Sequence, residues 1–361
     1  MNVVFDARYI GMSGIGTHVR NIIKAALKSK NKQITFLFSN KNKNHQIISQ
    51  LNKNNMSTLF IKSMPFSLFE HIEILNILRK HNVKIFHSPH FNIPFLKPKE
   101  TKLICTIHDI AFDIYPSEAK TIFHKLYYQF CMKKIKQSAN VIAVSNYTKE
   151  TLELHYQLKN VTVIHNTFDS SSITSQNLIR KEKTLLFVGI NKKRKNLKFL
   201  LEVMTRLPKD IKLIIIGASN NKSLNIKKTI KELKLTKQVT CMGYISQEDL
   251  INYYQTATAL IFPSLLEGFG YPVLEAGAYK LPVICASQSA LPEVGQDGCL
   301  YFDPCNKNNC KEKILELLNS KELQQKLVQQ NYNQLKRFDI MNGFKKLLKV
   351  YEKELKINGQ Y

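Results

Sequence analysis

The sequence predicts an α/β protein of two doubly wound, Rossmann-like parallel-sheet domains that face each other across a cleft. Three observations predict it. Short β-branched runs alternate with amphipathic helical stretches, which is how strand–helix–strand units read. The alternation occurs twice, once on each side of SSSITSQNLIRKEK at 170–183, a polar, aperiodic stretch with the composition of a linker. The length, 361 residues, suits two domains of ordinary size. The expected division is 1–175, 176–342 and a basic C-terminal helix at 343–361 that packs back toward the first domain.

Strands of the first domain are expected at 3–6, 34–38, 85–87, 103–107, 141–144 and 161–165. Those of the second are expected at 185–189, 212–217, 239–242, 259–262, 282–285 and 300–302. Helical periodicity lies between, at 17–28, 196–207 and 307–318 among others. Ligands of doubly wound sheets bind where strands end and helices begin, so chemistry is sought there.

The first strand leads into VVFDARYIGMSGIGTHVR, a loop with Gly11, Gly14 and Gly16 ahead of a helix. The spacing is G-x-x-G-x-G rather than G-x-G-x-x-G, and no acidic residue ends the next strand, Phe38-Ser39-Asn40. A dinucleotide site is disfavoured, while a phosphate or sugar can approach Gly14 and Gly16. In ICTIHDIAFD at 104–113, His108 follows a strand, which favours a site role over a structural one; Asp109, next to it, reads as a helix cap. No tight Asp-x-Asp pair or His/Asp/Glu cluster reads as a metal site, although His87, His90 and His108 near strand ends leave zinc as an alternative.

In the second domain, LLFVGINKKRKNLKF runs from a strand ending at Gly189, through a cationic loop, to a helix near Asn196. Arg194 and Lys195 are placed to stabilise a diphosphate, whereas Lys192 and Lys193 read equally as solvated surface. The richest segment is Glu267-Gly-Phe-Gly-Tyr-Pro-Val-Leu-Glu275, between a strand and a helix opened by Pro272. Free amides and a positive dipole end at a helix start suit a diphosphate. Gly268 and Gly270 allow close backbone approach on either side of Phe269. Glu267 can accept from sugar hydroxyls. Glu275 can accept from a diol such as ribose, or be a first-turn acid favoured by the helix dipole.

Composition narrows the classes. The chain is 44% hydrophobic and 22% charged, a globular rather than disordered balance. Asp6 and Arg8 interrupt the first apolar stretch, against a signal peptide, and no run nears the roughly 18 apolar residues of a membrane span. Of seven cysteines, Cys105, Cys241 and Cys285 read as buried thiols, and Cys299, Cys305 and Cys310 lack zinc-ligand spacing, so a reducing cytoplasm is expected. Net charge is +26, with 23 Lys+Arg against 10 Asp+Glu at 1–175 and 30 against 17 at 176–361. The excess is global; it implies anionic partners or simply solvated lysine faces.

Together these residues resemble the retaining family 4 glycosyltransferases of the GT-B fold. The resemblance rests on Glu-Gly-Phe-Gly-x-Pro-x-x-x-Glu in register with the Arg-Lys-Asn loop, followed by Leu291-Pro-Glu-Val294, and spans nearly the whole chain. It implies an acceptor-binding first domain and a nucleotide-sugar-binding second. Glu267 would contact the donor sugar, Glu275 the ribose, Arg194 and Lys195 the diphosphate. Gly189, Gly268, Phe269 and Gly270 would line the donor, Gly14 and Gly16 make room for the diphosphate, and His108 hydrogen-bond the transferred sugar. Transfer would be metal-independent and need no cofactor. Two departures are Ile190, where some relatives carry Arg, and Asn166-Thr167, where Asn-Gly is usual. His87-Ser-Pro-His90 and Ile107-His-Asp-Ile-Ala-Phe112 are similar to bacterial mannosyl- and rhamnosyltransferases of surface-polysaccharide assembly. That similarity implies GDP-mannose as first donor, UDP-hexose or dTDP-rhamnose as alternatives, and a glycan or polyprenyl-linked acceptor. A phosphorylase on the same fold is disfavoured by the short chain and the lack of an evident pyridoxal-phosphate lysine motif, and an epimerase by the glutamate pair and the Arg-Lys-Asn loop.

Finally, KTIFHKLYYQFCMKKIKQ at 120–137 mixes aromatics with Lys120, Lys125, Lys133, Lys134 and Lys136. It reads either as an ordinary surface helix with its aromatics inward or as a helix that lies on an anionic membrane surface. A nucleic-acid partner is not expected, because no nucleic-acid motif accompanies the charge.

Overall fold

The computed structural model describes residues 2–119, 121–170, 180–219 and 224–356. The chain divides into two compact units, Met1–Asp169 with Phe338–Tyr361, and Ser170–Arg337.

Unit 1 is built on a seven-stranded sheet: β1 (Val3–Asp6), β2 (Ile34–Ser39), β3 (Thr58–Ile61), β4 (Ile85–Ser88), β5 (Lys102–Ile107), β6 (Ala139–Ala143) and β7 (Thr162–Val163). The order is β3-β2-β1-β4-β5-β6-β7 and every pairing is parallel. Helices cover both faces of such a sheet, so its central strands are apolar on both sides. Accordingly VVFD in β1 and ITFLFS in β2 are buried at every position. β3 was not expected: it is a short edge strand, half-buried at Thr58, Leu59 and Phe60, and carries a weak apolar signal.

The helix Ile340–Lys356 belongs to unit 1. Ile340, Phe344, Leu347 and Tyr351 fall on one face and join the core containing Phe5, Ile34 and Phe36. Burying four such side chains contributes up to about 1.5–3 kcal/mol each. A β-carbon at Gly343 would overlap the Thr167 methyl, so glycine lets this helix approach. Residues 357–361 of the expected helix lie outside the described residues.

Unit 2 carries a six-stranded sheet: β8 (Thr184–Val188), β9 (Lys212–Ile216), β10 (Val239–Gly243), β11 (Ala259–Phe262), β12 (Val283–Ala286) and β13 (Leu300–Phe302). Its order, β10-β9-β8-β11-β12-β13, is again fully parallel. The helix Leu197–Met204 buries six of its eight residues on this sheet. Of the expected linker, 171–179 lie outside the described residues, and so does Lys120.

Three expectations about local structure change. Gly14 and Gly16 are helical, because the first helix begins at Ser13 after a turn at Arg8–Gly11. Glu275 is the fifth residue of Tyr271–Ala278, beyond the first turn, so a helix-dipole role does not account for it; Pro272 is the second residue rather than the first. Cys241 is half-buried, on the edge strand β10, while Cys105 and Cys285 are buried.

Candidate active site

Within each sheet the strand order reverses beside the first strand, where β1 meets β4 and β8 meets β11. Connections leave the carboxyl edge in opposite directions there and open a crevice.

In unit 2 this junction brings together segments 72 residues apart. β8 runs through Gly189 into a tight turn, Lys193–Lys195, and β11 runs into the loop carrying Glu267. Lys195 Nζ lies 2.5 Å from Glu267 Oε1, and the Arg194 guanidinium 3.7 Å from Oε2. Arg194 also donates to the Leu266 carbonyl at 3.1 Å, and its own carbonyl accepts from the Leu265 amide at 2.7 Å. The Lys195 ammonium sits 5.0 Å from the centre of the Phe262 ring. Lys193 is exposed whereas Lys195 is buried, which separates solvated cations from site cations. Such a buried pair repays its desolvation only through good geometry, and losing one partner strands the other charge.

The glutamate loop is fixed from behind. The Glu267 amide donates to Ser289 Oγ at 3.1 Å, and its carbonyl accepts from the Ala290 amide at 3.3 Å. Gly268, Phe269 and Gly270 are buried. Gly270 caps the helix Tyr271–Ala278 at φ +112°, and a β-carbon there would come 2.9 Å from a Leu291 methyl. Gly189 is less constrained, since a β-carbon would meet only ordinary contacts near 3.5 Å. Glu275 Oε2 accepts from the Tyr254 hydroxyl at 2.5 Å, and Tyr254 stacks on Tyr279. Burial raises the Glu275 pKa and the tyrosine hydrogen bond opposes that rise. Oε1 remains to meet a second donor.

The unit 1 junction has different chemistry. The Gly16 amide donates to the Met12 carbonyl, so the three amides before it have no intrahelical acceptor. A β-carbon on Gly16 would stand 2.6 Å from the Ile10 carbonyl oxygen, so the turn and helix can close only on glycine. His108 follows β5; its Nε2 donates to the Pro89 carbonyl at 3.0 Å, which leaves Nδ1 as an acceptor. Burial pushes His108 down to about 4, so the ring is neutral near pH 7. Asp109 accepts from the Ala111 amide at 3.0 Å, a local capping contact. His18 packs edge-on against His108, with ring centres 5.1 Å apart. Its buried Nε2 has no hydrogen-bond partner among the described residues.

His87 stands apart from this site. Its ring nitrogens lie 2.6 Å from the Tyr351 hydroxyl and 2.8 Å from Thr106 Oγ1, tying the C-terminal helix to the sheet. Among the described residues no group of three or more His, Cys, Asp or Glu could hold a metal ion.

Sequence reading passed over four residues here. Ser289, Tyr254 and Phe262 support the charged groups from other segments, and His18 reaches His108 from the first helix. Ser289 left one trace, a polar residue just before Leu291-Pro-Glu-Val294, where the structure shows φ +59°. Tyr254 and His18 carried none beyond helical periodicity.

Two family models match in tandem: Glycosyltransferase Family 4 over residues 12–172 and Glycosyl transferases group 1 over 169–334. The O-antigen chain mannosyltransferase RfbU of Salmonella typhimurium is 27% identical over 265 residues, 72% of either chain. Among solved structures, sucrose-phosphate synthase from Thermosynechococcus elongatus superposes with a TM-score of 0.80 at 17% identity, covering 99% of this chain and 100% of that one. Anabaena HepE in complex with UDP-glucose does so at 0.72 and 14% identity, covering 98% and 100%. With two fully parallel doubly wound sheets, and family matches that together run from residue 12 to 334, the chain belongs to the glycosyltransferases of the GT-B fold.

Proposed function

We propose that the chain transfers a hexose from a nucleoside-diphosphate sugar to a glycan or polyprenyl-linked acceptor in cell-surface polysaccharide biosynthesis, with retention at the anomeric carbon. The carrying observation is the Lys195–Glu267–Arg194 cluster at the end of β8 and β11, beside the helix start at Gly270. Charge develops on the leaving nucleoside diphosphate, and fixed cations stabilise it most where water is excluded. Arg194 and Lys195 supply those cations, so the reading requires no metal ion and no further cofactor. The pyrophosphate draws both cations from Glu267, whose carboxylate then accepts from the donor sugar's hydroxyls. Amides around Phe269 and Gly270 approach the sugar and phosphate, and Glu275 Oε1 receives the ribose diol. In unit 1, His108 Nδ1 accepts from a hydroxyl of the transferred sugar, and Gly14 and Gly16 leave room for the diphosphate.

Mannose from GDP-mannose is the first donor to test. RfbU, a mannosyltransferase of O-antigen chains, supports it; the UDP-glucose complex of HepE supports a UDP-hexose instead. A ligand that binds only the folded state stabilises it, by about 2.7 kcal/mol at a hundredfold excess over Kd. Thermal melts and turnover with GDP-mannose, UDP-glucose and dTDP-rhamnose should single out one donor. Absence of both a melting shift and turnover with all three would sink the reading. The seven free cysteines are in keeping with a reducing cytoplasm, where we place the enzyme.

A further inference from the structure

The loop that carries Glu267 rests on residues 288–291, which follow β12. Gln288 Nε2 donates to the Leu265 carbonyl at 2.6 Å. Ser289 Oγ accepts from the Glu267 amide at 3.1 Å, and the Ala290 amide donates back to the Glu267 carbonyl at 3.3 Å. Leu291 closes the contact at Gly270, where a β-carbon would stand 2.9 Å from its methyl. Topology explains the arrangement. β11 and β12 are parallel neighbours, with Phe262 opposite Cys285, so the segments leaving their carboxyl ends run side by side.

This brace turns on a strained residue. Ser289 has φ +59°, a left-handed conformation that a β-carbon disfavours and that glycine adopts freely. Such residues persist only where their surroundings hold them, and they collect at functional sites. Ser289 is half-buried, with Ala290 and Leu291 fully buried behind it at the start of the helix Leu291–Gly295. Its conformation lets two groups of opposite polarity, the Ser289 hydroxyl and the Ala290 amide, meet the two backbone groups of Glu267. A glycine would follow the same path without strain, but it lacks the oxygen that receives the Glu267 amide.

The brace matters most after a donor binds. Beforehand Glu267 is held twice, at its backbone by Ser289 and Ala290 and at its carboxylate by Lys195 and Arg194. In the proposed transfer the diphosphate draws both cations away. The carboxylate then loses its side-chain partners just when it must meet the sugar, and the backbone bonds locate it. The Leu265 amide stays on the Arg194 carbonyl at 2.7 Å, which ties the near end of the loop to the cationic turn. The Glu267 end depends on Ser289 and Ala290. Misplacing a contact group by about 1 Å can cost roughly a hundredfold in rate.

We infer that Ser289 is a positioning residue for sugar transfer. Through its left-handed backbone and its hydroxyl it keeps the Glu267 carboxylate in place once Lys195 and Arg194 have turned to the diphosphate. It acts through Glu267 rather than on the reacting atoms. The role rests on the transferase reading of the Lys195–Glu267–Arg194 cluster, and it adds to that reading the residue that holds the cluster's carboxylate during turnover.

The test is steady-state turnover and donor-induced melting of the full chain, on the donor that the thermal melts select. Ser289→Ala should lower kcat by about tenfold to a hundredfold, with the donor KM and the melting shift kept, because the cations still hold the diphosphate. In the Glu267→Gln background Ser289→Ala should lower kcat by less than about threefold, since the group it positions is already gone. Ser289→Gly should be as slow as Ser289→Ala yet melt about 2–4 °C higher, because it relieves the strain without restoring the oxygen. Gln288→Ala, which cuts the Leu265 limb of the brace, should also lower kcat at constant KM, and it keeps the test open if Ser289→Ala does not fold. Near-normal kcat in the folded alanine variants overturns the inference. So does a loss confined to KM, a glycine variant as fast as the wild type, or a Ser289→Ala effect that multiplies in full with Glu267→Gln. Each of these leaves the transferase reading standing, whereas a wild type inactive on every donor would overturn that reading as well.

Discussion

The two units share a strand order and a crevice position, yet the crevices hold opposite chemistry. Unit 2 places ionised groups there, Lys195 and Arg194 on Glu267, each mostly shielded from water. Unit 1 places imidazoles there that burial holds neutral, with His90 pushed down to about 3 and His108 to about 4. Topology therefore decides where a ligand can sit, and side-chain chemistry decides what it can be. A cationic crevice suits a diphosphate, and a neutral one suits hydroxyls.

The contrast can be broken first at Lys195. Lys195→Ala should lower kcat by about 10³, or ~4 kcal/mol, because it removes a fixed cation and leaves Glu267 buried beside Arg194 alone. Steady-state turnover on the matched donor, with circular dichroism to check folding, reads this out. Near-normal turnover would remove unit 2's claim to the chemistry.

Acidification should strike unit 1 next. The buried His87 binds no proton until about pH 3, whereas in the unfolded chain it protonates near 6.5. Stability is therefore full above about 6.5 and is lost as pH falls toward 3, at about 1.4 kcal/mol per pH unit, or ~3 kcal/mol by pH 4. Thermal melts from pH 7 to 4 should show unit 1 destabilised, and His87→Gln should flatten that slope. A wild-type melt insensitive to pH in this window contradicts the neutral core.

A smaller effect is expected from His108→Ala. It should reduce kcat by roughly tenfold to a hundredfold with little change in donor-induced stabilisation, since the imidazole is assigned to the transferred sugar. A loss confined to donor affinity would instead make unit 1's histidine part of the nucleotide site.

The smallest effect is expected from Glu275→Gln. The Tyr254 hydroxyl can still donate to the amide, so donor affinity should fall by only about 1 kcal/mol, roughly fivefold. Burial raises the folded pKa of Glu275, so its contribution to stability is lost as pH rises through that value, the reverse of His87. The amide should consequently leave the melting temperature at pH 7 unchanged or higher. A marked fall would mean that the carboxylate is chiefly structural.

Much of the fold was legible because parallel strands buried on both faces read as unbroken apolar runs, as ITFLFS does in β2. β3 escaped because an edge strand needs less burial, and the start of the first helix at Ser13 escaped because Gly14 and Gly16 resemble a loop. Within the site, glycine was informative where backbone approach demands it, at Gly16 and Gly270, and uninformative at Gly189, where a side chain would fit. The lysine-rich helix at 120–137 was read as one apolar stripe, but it has two apolar faces, one on the sheet and one toward solvent.

By itself the sequence determined the two parallel-sheet units and the position of Arg194, Lys195, Glu267 and His108 just beyond strands. Those are local properties, set by periodicity and by residues a few positions apart. Only tertiary structure decided that Lys195 meets Glu267, that Tyr254 takes one oxygen of Glu275, and that His18 joins His108. These pairings span tens of residues and depend on which strands become neighbours in the sheet, a choice made by the packing of the whole unit rather than by any one segment.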